Sequence, residues 1–192
     1  MKRPVIIGER INPTGRKKFQ QELSLGVFTL VKEEARSQAQ ARAALLDVNM
    51  GVANADEVKL LAEAVNQIQE IVSVPLCIDS SNPKALEEAV KNCAGKPIIN
   101  SVNAEEAKLE AIMPIAKRYG CALIALTTDD NGIPKTSDKR LEIAEKILKK
   151  AEEYGHRKEK HNFRLSCSCG KLFARAGRRN PSCDKRVQAA LS

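Results

Sequence analysis

The chain has 192 residues, 43% of them hydrophobic and 29% charged, with no Trp and only 3% aromatics, so any core must be Ile, Val, Leu and Ala. No stretch approaches the ~20 uninterrupted apolar residues of a membrane span. The opening MKRPVIIGER meets charge too early for a signal peptide, so a cytoplasmic enzyme is expected. The net charge of +8 would suggest a nucleic-acid partner, but its distribution argues otherwise. Residues 156–192 hold ten Lys+Arg against two Asp+Glu, leaving residues 1–155 with 22 of each sign.

In chain order, short apolar runs alternate with helix-length segments. Pro4–Ile7, Leu45–Val48, Pro75–Ile78, Pro97–Ile99 and Cys121–Leu126 read as strands. They are near-continuously hydrophobic, as parallel strands covered on both faces should be. Between them, Leu30–Gln40, Val58–Ile71, Lys84–Lys91, Ala107–Tyr119 and Leu141–Tyr154 carry apolar residues at i, i+3, i+4 spacing and read as helices. Asp56 and Asn82 stand where N-caps belong. Gly51, Gly120 and Gly155 stand at turns. The Arg16-Lys17-Lys18 cluster reads as a solvated loop in preference to a phosphate site.

Five βα units allow a doubly wound sheet or a barrel. The turn after the first strand, GERINPTG at 8–15, lacks the G-x-G-x-x-G spacing of a Rossmann sheet. Instead a polar residue recurs at each strand's C-terminal end. These are Glu9 and Asn12; Asp47 and Asn49; Asp79, Ser80 and Ser81; Asn100 and Asn103; Thr127 and Thr128. Barrel enzymes build their sites from that rim, so an α/β fold of the TIM (β/α)8 barrel type is expected, incomplete at about five units. Any one of these residues could be only a cap or a turn former. Four strands carrying an acid or amide at the same end point to a shared site.

No His precedes residue 156, and Cys77 is the lone thiol near the rim. Ser–His and Cys–His nucleophile schemes therefore lack a base, and zinc lacks its usual ligands. Asp and Asn together offer acceptors and donors to a flat heterocycle with an amino-substituted ring edge, such as a pterin. Cys93 and Cys121 read as small buried residues.

GERINPTG (8–15), LDVNMG (46–51), CIDSSNP (77–83), IINSVN (98–103) and GIPKTSDKRL (132–141) resemble the pterin-binding barrel of methyltetrahydrofolate methyltransferases, over about residues 3–155. That group includes the corrinoid/iron–sulfur protein methyltransferase and the folate module of cobalamin-dependent methionine synthase; dihydropteroate synthase is a more distant match. The resemblance implies binding of N5-methyltetrahydrofolate and transfer of its methyl group to cobalamin on a corrinoid protein or domain. It implies a folate substrate, no directly bound metal, no nucleic acid and no membrane, and is compatible with a homodimer. By motif, Asp79 and Asn100 correspond to pterin-anchoring residues, with Asp47, Asn49, Glu9 and Asn12 in the motifs beside them. In the family, protonation at N5 is helped by an Asn beyond the sixth strand. Dihydropteroate synthesis and a non-catalytic folate-binding remnant are the alternatives.

Two departures stand out. Arg42 occupies a helix-to-strand turn where the family usually has Gly. After Gly155 the chain reads HRKEKHNFRLSCSCGKLFARAGRR, where the family continues with a sixth strand bearing an Asp. Codons can be chosen for His161–Gly170 that, read one base later, begin Ile-Ile-Phe-Asp-Cys-Leu-Val-Leu, so a shift of reading frame would explain the tail. The competing reading is a module in which Cys167, Cys169, Cys183 and His161 bind zinc and the Arg residues contact phosphate. A barrel short of three strands has open edges, so this polypeptide alone is expected to be unstable and inactive.

Overall fold

The computed structural model describes residues 5–155 and the backbone of residues 163–166. It is a βα alternation: β1 (Ile7–Ile11), α1 (Lys17–Ser24), α2 (Thr29–Gln40), β2 (Leu45–Val48), α3 (Glu57–Gln69), β3 (Leu76–Asp79), α4 (Pro83–Asn92), β4 (Ile98–Val102), α5 (Glu106–Tyr119), β5 (Ala122–Leu126), α6 (Ser137–Glu153) and β6 (Phe163–Ser166). Among the described residues no helix is long and apolar enough to cross a membrane.

The chain divides into two units, one of residues 1–100 with Tyr119–Cys121, the other of Ser101–Arg118 with everything from Ala122. In the first, β1, β2, β3 and the first residues of β4 pair in parallel and in chain order. Leu46 lies opposite Leu76, Asp47 opposite Cys77, and Asp79 opposite Asn100. Helices α2, α3 and α4 pack on β1, β2 and β3 respectively. Their apolar stripes are Val31 and Ala35; Leu61, Ala64, Val65 and Ile68; and Ala85, Leu86, Ala89 and Val90. Those stripes are fully or nearly fully buried, as are Leu46, Val48, Ile78 and Ile99 of the strands. Burial of such side chains at ~25 cal/mol per Å² is the main force holding helix to sheet. The side chains of Asp56 and Asn82 accept from the backbone N–H of Lys59 and Lys84, so both cap as expected, with Pro83 in the first turn of α4. In the second unit, β5 pairs in parallel with β6, and Thr136 caps α6.

Three expectations are corrected. The first strand is Ile7–Ile11, not Pro4–Ile7. It is polar because Arg10 reaches outward to Glu34 of α2 (3.1 Å), while Glu9 leaves from the other face. The Arg16-Lys17-Lys18 cluster opens α1 instead of a loop, and Arg16 is no free cation. It pairs with Glu34 at 2.6 Å, donates to the carbonyl of Arg10 and lies 4.8 Å from the centroid of the Phe19 ring. A sixth strand forms where five were expected. The proposed zinc or phosphate module, with Cys167, Cys169, Cys183 and His161, lies outside the described residues.

Candidate functional site

Strand pairing decides which side chains share a face. Successive residues of a strand point to opposite faces, and laterally paired residues point to the same one. In β2, Leu46 and Val48 turn toward the helices, which puts Asp47 and Asn49 on the opposite face. There the register adds Cys77 and Asp79 of β3 and Asn100 of β4. The ends of these strands thus alternate apolar and polar, where near-continuous apolar runs were expected.

Four of the six expected site residues form two bonded pairs. Asn49 Nδ2 donates to Asp79 Oδ2 at 3.1 Å, and Asn100 Nδ2 donates to Asp47 Oδ1 at 3.0 Å. The second bond spans β3, so side chains of β2 and β4 meet across the strand between them. Asn49 is used at both ends, since its Oδ1 accepts from the N–H of Gly51 at 2.9 Å. It therefore holds Asp79 in place. Glu9 is exposed and close enough to Asp47 to raise its pKa. Asn12 Oδ1 accepts from the N–H of Thr14 at 2.8 Å, the bond of a turn former, so Asn12 shapes the loop after β1. In the second unit Asn103 bonds Glu105 at the start of α5, and Thr127 is buried.

The electrostatics are those of carboxylates crowded in a half-dry site. Burial pushes Asp79 up to about 6, helped by the charges of Asp47 and Glu57 and opposed by the Asn49 bond. Burial also raises Asp47, against hydrogen bonds from Asn100 and the Cys77 thiol. Cys77, buried between two carboxylates, is pushed far up and stays a thiol. Sequence reasoning missed Glu57, the first residue of α3, whose Oε1 accepts from Ser80 Oγ at 2.5 Å. An acid just after a helix cap looks like a dipole partner, and only the βα packing brings it near Asp79. It also missed Cys77 as a lateral neighbour of Asp47, although the i, i+2 spacing to Asp79 put both on one face.

A groove of about 1080 Å³ lies elsewhere, on the helical side, lined by residues of α2, α3 and α4. Its Lys32, Arg36 and Lys59 are matched by Glu33, Glu63 and Glu88, so it selects no charge class.

The βα alternation and the polar strand ends are those of an α/β fold of the TIM-barrel type. Residues 8–168 match the family described as pterin binding enzyme, and the chain belongs to that family. It is 30% identical over 155 residues to "Methylcorrinoid:tetrahydrofolate methyltransferase" of Eubacterium limosum, covering 78% of this chain and 56% of that protein. It is 28% identical over 149 residues to "Methionine synthase" of Mycobacterium tuberculosis, covering 75% of this chain and 12% of that protein. The chain thus spans about half the length of the first relative and a small part of the second. Solved structures similar in fold include a 7,8-dihydropteroate synthase from Vibrio fischeri (TM-score 0.62, 17% identity, 98% of this chain and 69% of that one). A Yersinia pestis DHPS with a pterine-sulfa conjugate is similar too (TM-score 0.60, 17% identity, 98% and 66%).

Proposed function

We propose that this chain is the pterin-binding part of a methyltransferase that passes the methyl group of N5-methyltetrahydrofolate to a corrinoid carried by a partner protein or domain. One observation carries the reading: two acid–amide pairs, Asp79 with Asn49 and Asp47 with Asn100, gathered on one face at the ends of three neighbouring parallel strands. In it, Asp79 and Asn100 hold the amino-pyrimidine edge of the ring, and Asp47, Asn49, Glu9 and Asn12 support or border them.

A carboxylate and an amide suit that edge because both sides can form charge-assisted bonds. The chemistry asks little more of these residues. Methyl loss from N5 needs that nitrogen to become a better leaving group, by protonation or hydrogen bonding. The corrinoid supplies the nucleophile, so the protein contributes orientation and electrostatics. That suits a site without a Ser–His or Cys–His pair. The name of the Eubacterium limosum relative gives tetrahydrofolate as the methyl acceptor, and one pocket serves either direction because both pass through the same transition state. Dihydropteroate synthesis is the second reading, favoured by the fold of the solved neighbours alone.

Calorimetric titration of methyltetrahydrofolate into wild type and Asp79→Ala tests the assignment. Loss of a charged hydrogen-bond partner should weaken binding roughly 10- to 100-fold. Equal affinity in both would remove Asp79 from the site.

A further inference from the structure

The structure assigns Asp47 a role other than ligand contact: we propose that it locks the Asn100 side-chain amide in one orientation and thereby sets which ring edge the site accepts. This inference rests on the pterin reading above and deepens it.

Asp47 is 9% exposed and its Oδ1 lies 3.0 Å from Asn100 Nδ2. A carboxylate can only accept, so the amide nitrogen, and not its oxygen, must face it. Cys77, on the strand between, is the lateral partner of Asp47 in the sheet. The Asn100 amide is thus bonded to a largely buried carboxylate before any ligand arrives. Asn100 Oδ1 is left over, and no donor among the described residues meets it. Asp79 is in the same state, with Oδ2 taken by Asn49 and Oδ1 without a bonded donor. Asp79 and Asn100 are lateral partners in the sheet, so their two unused oxygens make a pair of neighbouring acceptors. A ring edge with two adjacent N–H donors fits that pair. A 2-amino-4-oxo pyrimidine has such an edge in N3–H and its amino group. The 2-oxo counterpart, a lumazine, sets a carbonyl oxygen against Asn100 Oδ1 instead.

The experiment is a double-mutant cycle on the full chain, read as the ratio of dissociation constants for a pterin and a lumazine with matched substituents. Wild type should prefer the pterin about tenfold or more, the cost of opposing two acceptors. Asp47→Asn is isosteric but can donate as well as accept. It frees the Asn100 amide to turn over, and the preference should fall toward one. In an Asn100→Ala background, Asp47→Asn should leave the ratio unchanged, because Asp47 acts through Asn100. Additive effects of Asp47→Asn and Asn100→Ala would mean that Asp47 touches the ring itself and would overturn the inference while leaving the pterin site standing. An unchanged ratio in Asp47→Asn alone would overturn it as well. Wild type binding neither probe would overturn both readings.

Discussion

Burial and the nearby Asp47 charge hold Asp79 at about 6, above its ordinary 3.8, and that direction sets two opposite pH effects. Between roughly pH 4 and 6 the folded state holds a proton that the unfolded chain has lost, so the free protein loses stability as pH rises through that window. Asp79→Asn should therefore melt higher than wild type near neutral pH and equally near pH 4. A melting temperature unchanged at both pH values would contradict the shift. Ligand binding runs the other way, because the ring's N–H donors need the ionised carboxylate. Affinity should be full above about pH 6 and fall towards tenfold per unit below it. Such opposition of stability and binding is common at functional sites. Arg42 is a second strained residue, with φ at 63° in the left-handed region that favours Gly. Arg42→Gly should raise stability by ~1 kcal/mol in urea unfolding, since only Gly adopts that backbone freely; a loss would mean that the Arg side chain has a role.

At the level of elements, the sequence showed most where periodicity is long. Helices α2 to α6 and strands β2 to β5 fall within a few residues of expectation, because each buries a stripe or a run that reads directly. Helix α1 buries only Phe19 and Leu23, one i, i+4 pair, too little to register as a period. Strand β1 hid for a different reason. Its outward residue serves Glu34, and its register shifts between Gly8 and Ile11. The buried Gln38 holds that irregular stretch, accepting from the N–H of Arg10 at 3.0 Å through Oε1. A Cβ on Gly8 would strike that amide, including Gln38 Cδ at 2.9 Å. Gly8→Ala should cost about 1–3 kcal/mol, measured by chemical denaturation; a neutral result would mean that Gln38 can leave without loss. The candidate site was legible as strand ends, since LDVN and CID alternate polar with apolar. The pairings were not, because which amide meets which carboxylate depends on how far β2 and β4 approach across β3.

For the whole molecule, the family match runs to residue 168 and β6 pairs with β5, both beyond the Gly155 boundary read from composition. The basic excess hid that continuation, since charge balance says nothing of backbone pairing. We propose that the tail arises from a shift of reading frame; codons 161–170 that give no Ile-Ile-Phe-Asp-like strand one base later would overturn this. The pterin assignment stands or falls with where a ring settles in a crystal of the chain grown with a tetrahydropterin. The pyrimidine edge should lie within hydrogen-bonding distance of Asp79 Oδ1 and Asn100 Oδ1, with Asp47 still bonded to the Asn100 amide. A ring bound away from β3 and β4, with those two oxygens left to water, would refute it.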